Sequence, residues 1–457
     1  MRRVLSSSSS LASLTTNSSA KSKSSIMQHH HLKWDWTIEE STLFHQRDEN
    51  GKINNKNTTE SSSINEVTER DIYGFKKPTE WVSLKKIHEF DHLYQPILLH
   101  QKEKWVQLLE EHDNEFPPLS SRVKRYVRKG IPHIYRGKAW MHYSGAQRRM
   151  EANPGLYDTL LNTALTMDEQ QNEYIEVIVR DLHRTFPDNL HFTCQQQQDE
   201  HGNMFMNPDT NPILVSLKNV LFAFSLHSPQ VGYCQSLNYV VGLFLLMLMD
   251  QHHYQKEPVA AEEQAFWLLV ALVHDYAPNN MYDVTMEGSI IEQMVLMMMI
   301  SERMPSIWNK LANGRCFWDC EQDDNMPSVT LVTNHWFLTM FINILPIETV
   351  LRIWDCFFIE GYRVLYKVAL TLIKMNEHRI WALNDPMEIF PILQNMPRRL
   401  IDCHQFMERV FNKTGIASDI TTQEIERIRS LFKDRRKQRR YKKFDEMVRN
   451  NNRLASS

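Results

Sequence analysis

Two polar side chains, Arg184 and Gln235, stand out in segments that otherwise have the pattern of apolar helices. Arg184 ends the pattern Asp181-x-x-Arg184, and Gln235 ends the pattern Tyr233-x-Gln235 shortly before Asn238. A guanidinium stays charged and an amide both donates and accepts hydrogen bonds, so the pair suits binding and charge stabilisation. The sequence holds no Walker A loop, no G-x-S-x-G and no H-E-x-x-H. We therefore expect no complete active site for a chemistry of the chain's own.

The helix predicted before Arg184 follows from an apolar stripe at i, i+3, i+4 and i+7, made of Ile175, Ile178, Val179 and Leu182. At about 100° per residue, Arg184 falls almost opposite this stripe, with Asp181 one turn before it. Pro187 disfavours helical backbone at Phe186, so the helix should end within a residue or two of Arg184. The pattern predicts an exposed arginine on the last turn of a buried helix. A solvated ion pair between Asp181 and Arg184 is the plainer interpretation of the same spacing.

Gln235 and Asn238 are i,i+3 neighbours at the start of a very apolar run, residues 239–249. Buried amides need hydrogen-bond partners, so a polar network at a helix end is the alternative to a functional site. The run is about half of the roughly 20 residues that a membrane span requires, and it therefore predicts a core helix.

The composition narrows the class of protein. The chain has 457 residues, with 52 Lys and Arg against 55 Asp and Glu and a formal charge of −3. This near balance argues against nucleic-acid binding by the chain as a whole, and no specific nucleic-acid partner is expected. Scarce glycine and long runs rich in Leu, Met, Glu and Gln favour helix over sheet. The six cysteines form no C-x-x-C pair and lack histidines at zinc spacing, so we expect reduced thiols and no metal site.

Changes in composition divide the chain into segments. Residues 1–68 are rich in Ser, Asn and Thr, cannot bury enough apolar surface, and are predicted to be disordered. Residues 195–211 are polar and are predicted to be a surface loop or insertion, and the polar residues 251–263 are predicted to be a loop. The last segment, 422–457, is a basic tail, with eight Lys or Arg against one Asp over 433–443. A solvated helix is one interpretation of this tail, and binding to anionic lipid, an acidic partner or RNA are the others.

Six short motifs follow one another over positions 128–361: Arg128-Lys129-Gly130-Ile131-Pro132 with Arg136-Gly137 and Trp140; Ile178-x-x-Asp181-x-x-Arg184-Thr185; Gly232-Tyr233-Cys234-Gln235 with Asn238; Phe266-Trp267; Trp336-Phe337; and Leu351-Arg352-Ile353-Trp354-Asp355. In this order they resemble the TBC-domain proteins, the family of GTPase-activating proteins for Rab GTPases. More narrowly, positions 126–132, 144–147 and 184–189 are similar to the growth-hormone-regulated TBC protein subgroup. Ser236 stands where many members have glycine.

The resemblance implies an all-α fold with a two-lobed TBC domain over residues 128–361. An N-terminal helical extension would cover 69–127, and further helices over 362–421 would pack on the domain, ahead of the basic helical tail. Arg184 and Gln235 would act as catalytic fingers that enter the active site of a GTP-bound Rab GTPase in trans. Three residues would support them, namely Asp181, Tyr233 and Asn238. Seven others would form the scaffold, namely Gly130, Ile131, Pro132, Arg136, Trp140, Trp354 and Asp355.

The resemblance also implies an activator of an enzyme, with no cofactor of its own. The GTP and magnesium would belong to the partner, and the role would lie in vesicle traffic, with a cytoplasmic chain that is peripheral on endomembranes. A catalytically silent GTPase-binding or scaffold module on the same fold is the first alternative. An RNA- or membrane-binding adaptor that works through the basic tail is the second.

Overall fold

The structure is a computed structural model that describes residues 69–198, 204–249, 258–383 and 385–455. The predicted disorder of residues 1–68 lies outside these described residues. The described residues, from 69 onward, belong to one compact unit. The internal boundaries expected at 127/128, 361/362 and 421/422 stay predictions.

Almost all regular structure in the described ranges is helical, as predicted. The α-helices are α1 (Leu84–Glu110), α2 (Ser121–Lys129), α3 (His133–Ser144), α4 (Ala146–Ala152), α5 (Leu156–Thr166), α6 (Ile175–Leu182), α7 (Pro212–His227), α8 (Leu237–Leu248), α9 (Pro258–Ala271), α10 (Glu287–Arg303), α11 (Pro305–Leu311), α12 (Phe317–Gln322), α13 (Val329–Leu338), α14 (Ile347–Glu360), α15 (Arg363–Met375), α16 (Glu377–Ala382), α17 (Ile389–Asn395), α18 (Cys403–Val410) and α19 (Thr422–Ala455). Short 3-10 turns lie at Leu190–Phe192, Pro208–Thr210, Pro386–Glu388 and Met396–Arg399, and a π-helical turn at Leu272–Tyr276 extends α9.

The described residues also contain two small antiparallel hairpins, one before α1 and one between α6 and α7. Strands β1 (Glu69–Arg70) and β2 (Lys76–Lys77) form the first, and β3 (Gln195–Gln198) and β4 (Met204–Asn207) form the second. The polar segment 195–211, predicted to be a surface loop or insertion, therefore contains a regular hairpin. A two-stranded ladder needs only backbone donors and acceptors, so a run of glutamines satisfies it without any apolar pattern.

The core is built around α8 and α14. The apolar run that predicted a core helix is α8, which is buried along most of its length. Its Phe244 ring lies 5.3 Å from the ring of Trp354 on α14, and Trp140 on α3 lies 5.6 Å from Trp354. Edge-to-face and tilted aromatic contacts of this kind add stability beyond that from the apolar area that they bury. None of the helices in the described part of the chain is long and apolar enough to cross a membrane.

The prediction of a loop over 251–263 is wrong at its C-terminal end, because α9 begins at Pro258. Glu262 on this helix is buried and accepts hydrogen bonds from Tyr157 (2.8 Å) and Ser216 (2.7 Å). A buried carboxylate is tolerated when donors surround it. The polar residue that suggested a loop is therefore the centre of a helix–helix contact.

The basic tail is helical, as predicted, but part of its charge is already paired within the chain. Arg429 of α19 donates to the buried Glu292 of α10 at 2.6 and 2.7 Å. Arg435 donates to the buried Glu321 at 2.6 Å, and Arg440 donates to Glu287 at 2.6 Å. The part of α19 that carries these three arginines is thus docked on the domain, and the interpretation of the tail as a solvated basic helix is wrong for them.

Candidate functional site

The scaffold is organised around the buried carboxylate of Asp355 on α14. Its oxygens accept from the Ile131 backbone N–H at 3.2 Å, from Arg136 Nε at 3.1 Å and from Trp140 Nε1 at 3.0 Å. Arg136 and Trp140 lie one turn apart on α3, as their i,i+4 spacing predicted. One carboxylate therefore joins the turn at 130–132, α3 and α14.

The Gly130-Ile131-Pro132 turn between α2 and α3 depends on glycine. Gly130 has a φ of +117°, and a Cβ there would lie 3.0 Å from the side chain of Arg352. The Gly130 carbonyl also accepts from Trp105 Nε1 at 3.0 Å. Pro132 then precedes the first residue of α3, where its fixed φ suits a helix start. The turn is thus held by side chains from α1 and α14.

The buried Tyr73 and the partly exposed Glu348 complete this cluster, and neither was identified from the sequence. Arg136 Nη1 donates to the Tyr73 hydroxyl at 2.7 Å, and Arg136 Nη2 lies 3.1 Å from Glu348 Oε1. The Tyr73 hydroxyl donates to Glu348 Oε2 at 2.8 Å. Tyr73 and Glu348 are 275 positions apart, so no local pattern could have paired them.

The helix α6 ends two residues before Arg184, within the predicted range, but Arg184 itself lies in the turn that follows and not on the last helical turn. The helix ends at Leu182, and the Arg184 backbone N–H donates to the Asp181 carbonyl at 3.2 Å. The Thr185 hydroxyl donates to the same carbonyl at 3.0 Å. A side chain therefore provides the hydrogen bond that a further helical turn would otherwise give to this carbonyl. Val179, which was assigned to the apolar stripe, is 40 % exposed. The buried face of α6 is therefore narrower than the pattern suggested.

The Arg184 side chain is half exposed, and its guanidinium lies near one buried carboxylate. Its relative exposure is 52 %, and Nη1 lies 3.7 Å from Oδ1 of Asp181, whose side chain is 3 % exposed. At that separation the guanidinium is oriented by a charge but is not locked into a bidentate pair. Most of its donors therefore remain available to an anion from outside.

Gln235 is exposed in the segment that connects α7 to α8. Its side-chain amide makes no hydrogen bond to any described part of the chain. The backbone on either side is unusual, with φ of +57° at Gly232 and +119° at Ser236. A Cβ at Gly232 would lie 2.1 Å from the ring of Tyr174, at the start of α6. The positive φ at Ser236 explains why glycine suits this position.

Two hydrogen bonds tie the Arg184 and Gln235 segments together. The Tyr233 hydroxyl donates to Asp181 Oδ2 at 2.8 Å. Asn238 Nδ2 donates to the Thr185 hydroxyl at 2.8 Å, and Asn238 Oδ1 accepts from the Ser236 backbone N–H at 3.2 Å. The residues predicted to support the fingers, Asp181, Tyr233 and Asn238, are therefore brought together. Thr185 is a further member that the sequence analysis did not assign.

Burial raises the pKa values of two side chains next to Gln235, Tyr233 and Cys234. Burial first, and then the Asp181 carboxylate, raise the pKa of Tyr233 far above its ordinary value, so its hydroxyl stays a donor at every physiological pH. Burial raises the pKa of the Cys234 thiol to about 11. Since the thiolate is the nucleophilic form, this shift makes the Cys234 thiol a weak nucleophile at neutral pH.

An aromatic cluster supports the turn after Arg184. Phe186 is buried with a φ of +49°, which is uncommon for a bulky residue. Its ring packs 5.3 Å from both Phe75 and Phe192, and 5.7 Å from Tyr239 at the start of α8. Gly242 on α8 allows the close approach, because a Cβ there would lie 3.0 Å from Thr185. Packing thus fixes the chain directly after Arg184.

The fold and the site together define a helical protein that presents an arginine and a glutamine on two joined segments. No group of metal-ligating side chains occurs in the part of the chain that the structure covers. A guanidinium and an amide held in this way are suited to stabilising negative charge and orienting a small polar molecule.

Comparisons with known proteins identify the class. The sequence model of the RabGAP-TBC family, the Rab-GTPase-TBC domain, matches residues 133–381. The GTPase-activating protein GYP3 of Saccharomyces cerevisiae is 33 % identical over 448 residues, covering 85 % of this chain and 67 % of that protein. Growth hormone-regulated TBC protein 1 of Xenopus tropicalis is 33 % identical over 371 residues, covering 81 % of this chain and 95 % of that protein.

The fold agrees with these matches. The crystal structure of the Chlamydomonas flagellar RabGAP TBC domain superposes with a TM-score of 0.57 at 24 % identity, covering 76 % of this chain and 100 % of that one. The chain belongs to the Rab-GTPase-TBC domain family. The resemblance to TBC-domain proteins that the sequence motifs indicated is therefore confirmed.

Proposed function

We propose that the chain is a GTPase-activating protein for Rab-family GTPases, and that Arg184 and Gln235 act in trans on GTP bound to the partner. The observation that carries the proposal is the tie between the two segments, in which Tyr233 bonds to Asp181 and Asn238 bonds to Thr185. A pair of exposed polar groups without a shared role would not need such a link.

The residue types fit the chemistry of phosphoryl transfer to water. The transition state carries charge on the γ-phosphate oxygens and needs an oriented water. Arg184 supplies a charged planar fork that binds phosphate oxygens bidentately. The amide of Gln235 accepts from water while it donates to a backbone carbonyl. The Asp181 carboxylate orients the guanidinium of Arg184. The GTP and the magnesium ion are held by the partner GTPase.

A catalytically silent GTPase-binding module is the alternative function on the same fold. The exposure of both Arg184 and Gln235 favours the catalytic role, since a silent module has no use for an unpaired amide beside a tethered arginine. Action at endomembranes in vesicle traffic is part of the proposal, because Rab partners imply that setting.

A panel of purified Rab GTPases loaded with GTP tests the proposal. We expect the full chain to accelerate hydrolysis on at least one member by about 10³-fold or more at saturation. Binding to a GTP-loaded Rab without any acceleration across the panel would instead establish the silent module.

Replacement of Gln235 by alanine should slow the stimulated single-turnover rate by about 10²- to 10³-fold, because it removes one group that acts in the transition state. Gln438→Ala, at an exposed glutamine of α19, is the matched control and should leave the rate unchanged. The Arg184→Ala, Gln235→Ala double variant should lose less than the sum of the two barriers, since residues that work as a unit are not additive. A normal rate for Gln235→Ala would remove glutamine from the mechanism.

We also propose weak contact between anionic membranes and α19 from Lys433 onward. Three lysines there are exposed, namely Lys433, Lys437 and Lys442. Beside them Tyr441, Phe444 and Met447 are 62 %, 59 % and 55 % exposed, as an interfacial helix requires.

Changing these three lysines to alanine should weaken binding to phosphatidylserine vesicles at low salt by about tenfold or more, since each lysine near the surface contributes up to about 1 kcal/mol. Sedimentation with vesicles measures this. The matched control replaces exposed lysines elsewhere, Lys85, Lys102 and Lys138, and should bind like the wild type. Equal loss in both triple variants would mean that the contact is not located on α19.

A further inference from the structure

The turn that carries Arg184 is held from a second direction by a segment far away in sequence. We call residues 69–77, which contain β1, β2 and the turn between them, the N-terminal clasp. They precede the part of the chain that the family model matches, residues 133–381. We call residues 183–189 the Arg184 loop.

The clasp is a preformed turn. Asp71 Oδ1 accepts from the backbone N–H groups of Tyr73 and Phe75, each at 2.9 Å. The Asp71 N–H donates to the Phe75 carbonyl at 2.9 Å, and the Gly74 N–H donates to the Asp71 carbonyl at 3.1 Å. Such side-chain-to-backbone bonds define an Asx turn and fix the backbone carbonyls of Tyr73 and Gly74.

These carbonyls then bind the Arg184 loop and the residue after it. Asn189 Nδ2 donates to the Tyr73 carbonyl at 2.9 Å, and the Leu190 N–H donates to the Gly74 carbonyl at 3.0 Å. Arg70 bridges the two segments, because its Nη1 donates to the Gly74 carbonyl at 2.7 Å and to the Asp188 carbonyl at 2.8 Å.

Close packing reinforces the hydrogen bonds. Gly74 has a φ of +88°, and a Cβ there would lie 2.7 Å from His191 and 2.8 Å from Asn189 Oδ1. The Phe75 ring meets the Phe186 ring edge to face at 5.3 Å. Position 74 therefore has space only for glycine. Through Phe75, the clasp packs against Phe186, two positions after Arg184.

The clasp is also anchored to the buried scaffold. The Tyr73 hydroxyl lies between Arg136 and Glu348, at 2.7 and 2.8 Å. The chain of contacts runs from Asp355 through Arg136 and Tyr73 to Asn189 and the Arg184 loop. Tyr233 and Asn238 hold the same loop independently, through Asp181 and Thr185.

We infer that the N-terminal clasp is a positioning element for Arg184: through Arg70, Gly74 and Asn189 it sets where the guanidinium stands when a GTPase docks. This inference rests on the proposed function, since positioning matters only if Arg184 acts on bound GTP. Arg70 touches no reacting atom and works through the loop alone. A misplacement of about 1 Å can cost about 10²-fold in rate, so a loosened clasp should be measurable.

The activity test uses the full chain with Arg70→Ala and a Rab GTPase that responds in the panel. We expect the saturating single-turnover rate to fall about tenfold or more, with the half-saturating concentration unchanged. Arg70→Lys should recover part of the rate, because an ammonium still donates to two carbonyls. Arg122→Ala, which breaks an exposed pair with Glu111, is the control and should have no effect.

The decisive comparison repeats Arg70→Ala in the Arg184→Ala background. A residue that acts only through Arg184 should cause no further loss once Arg184 is absent. Equal fold losses in both backgrounds, or a change confined to the half-saturating concentration, would overturn the inference.

Hydrogen exchange on the free chain tests the clasp without any GTPase, and so separates its failure from failure of the proposed function. The amide of Leu190 should exchange about tenfold faster or more in Arg70→Ala and in Gly74→Ala, because local opening then costs less free energy. Gly155→Ala is matched to Gly74→Ala, since Gly155 also has a positive φ, +74°, but open space around it. Unchanged exchange at Leu190 would overturn the clasp even if the chain stimulates a GTPase.

Discussion

Replacement of Arg184 by alanine should slow stimulated GTP hydrolysis by about 10³- to 10⁵-fold at a saturating concentration of the chain. The loss equals roughly 4 to 7 kcal/mol of barrier, the range that an arginine finger supplies. Folding and binding to the GTPase should be largely kept, because the side chain is 52 % exposed and its one ion pair within the described residues is the 3.7 Å contact with Asp181. Single-turnover rates and the half-saturating concentration separate the two effects.

Two variants sharpen this prediction. Arg184→Lys should not restore the rate, because a point ammonium lacks the planar fork that binds two phosphate oxygens. Arg122→Ala is the matched control, since Arg122 is 40 % exposed and pairs with one acid, Glu111. A near wild-type rate for Arg184→Ala would leave Asp181 and Arg184 as an ordinary ion pair after a helix.

Replacement of Asp355 by alanine should lower the free energy of unfolding by about 3 to 5 kcal/mol. The variant leaves the buried Arg136 guanidinium with only part of its charge compensated. It also leaves Trp140 Nε1 and the Ile131 N–H without the acceptor that they now share. Removing one partner of a buried ionic network costs more than the pair contributes, because the remaining groups cannot return to water.

Urea denaturation measures this loss. Asp275→Ala is the control, because Asp275 pairs with Arg149 at the surface, where the side chains are 35 % and 41 % exposed. That pair should contribute less than about 1 kcal/mol. If Asp355→Ala lowers the free energy of unfolding no more than Asp275→Ala does, then the hydrogen bonds around Asp355 do not stabilise the contact between α3 and α14 as their geometry indicates.

The pairing of Arg184 with Gln235 was accessible from sequence because each residue lies in a local motif that resembles a known family. Helix existence was equally accessible, since apolar periodicity is a local property. The helix α6 ends within the predicted range, but periodicity did not show that Arg184 itself lies beyond the helix, where the Thr185 hydroxyl satisfies the Asp181 carbonyl and the chain turns at Phe186. Hydrogen bonds that side chains make at helix ends cannot be predicted from apolar periodicity.

Long-range polar partners were the main part that the sequence could not predict. Glu262 looked like a loop residue because a charged side chain suggests solvent, yet donors from α5 and α7 surround it. The arginines of α19 looked solvated for the same reason, but Glu292, Glu321 and Glu287 lie more than a hundred positions earlier. The clasp is a similar case, because Arg70 meets Asp188 at a separation of 118 positions.

The affinity of the chain for a transition-state mimic tests the central claim most directly. A responsive Rab GTPase bound to GDP and aluminium fluoride imitates the phosphoryl group in transfer, and titration compares it with the same GTPase bound to GDP alone. If Arg184 and Gln235 act on the transition state, the wild-type chain should bind the mimic at least about 10²-fold more tightly, and Arg184→Ala should lose that preference. Equal preference for the mimic in the wild type and in Arg184→Ala would contradict the assignment of Arg184 as the residue that stabilises the transferring phosphate.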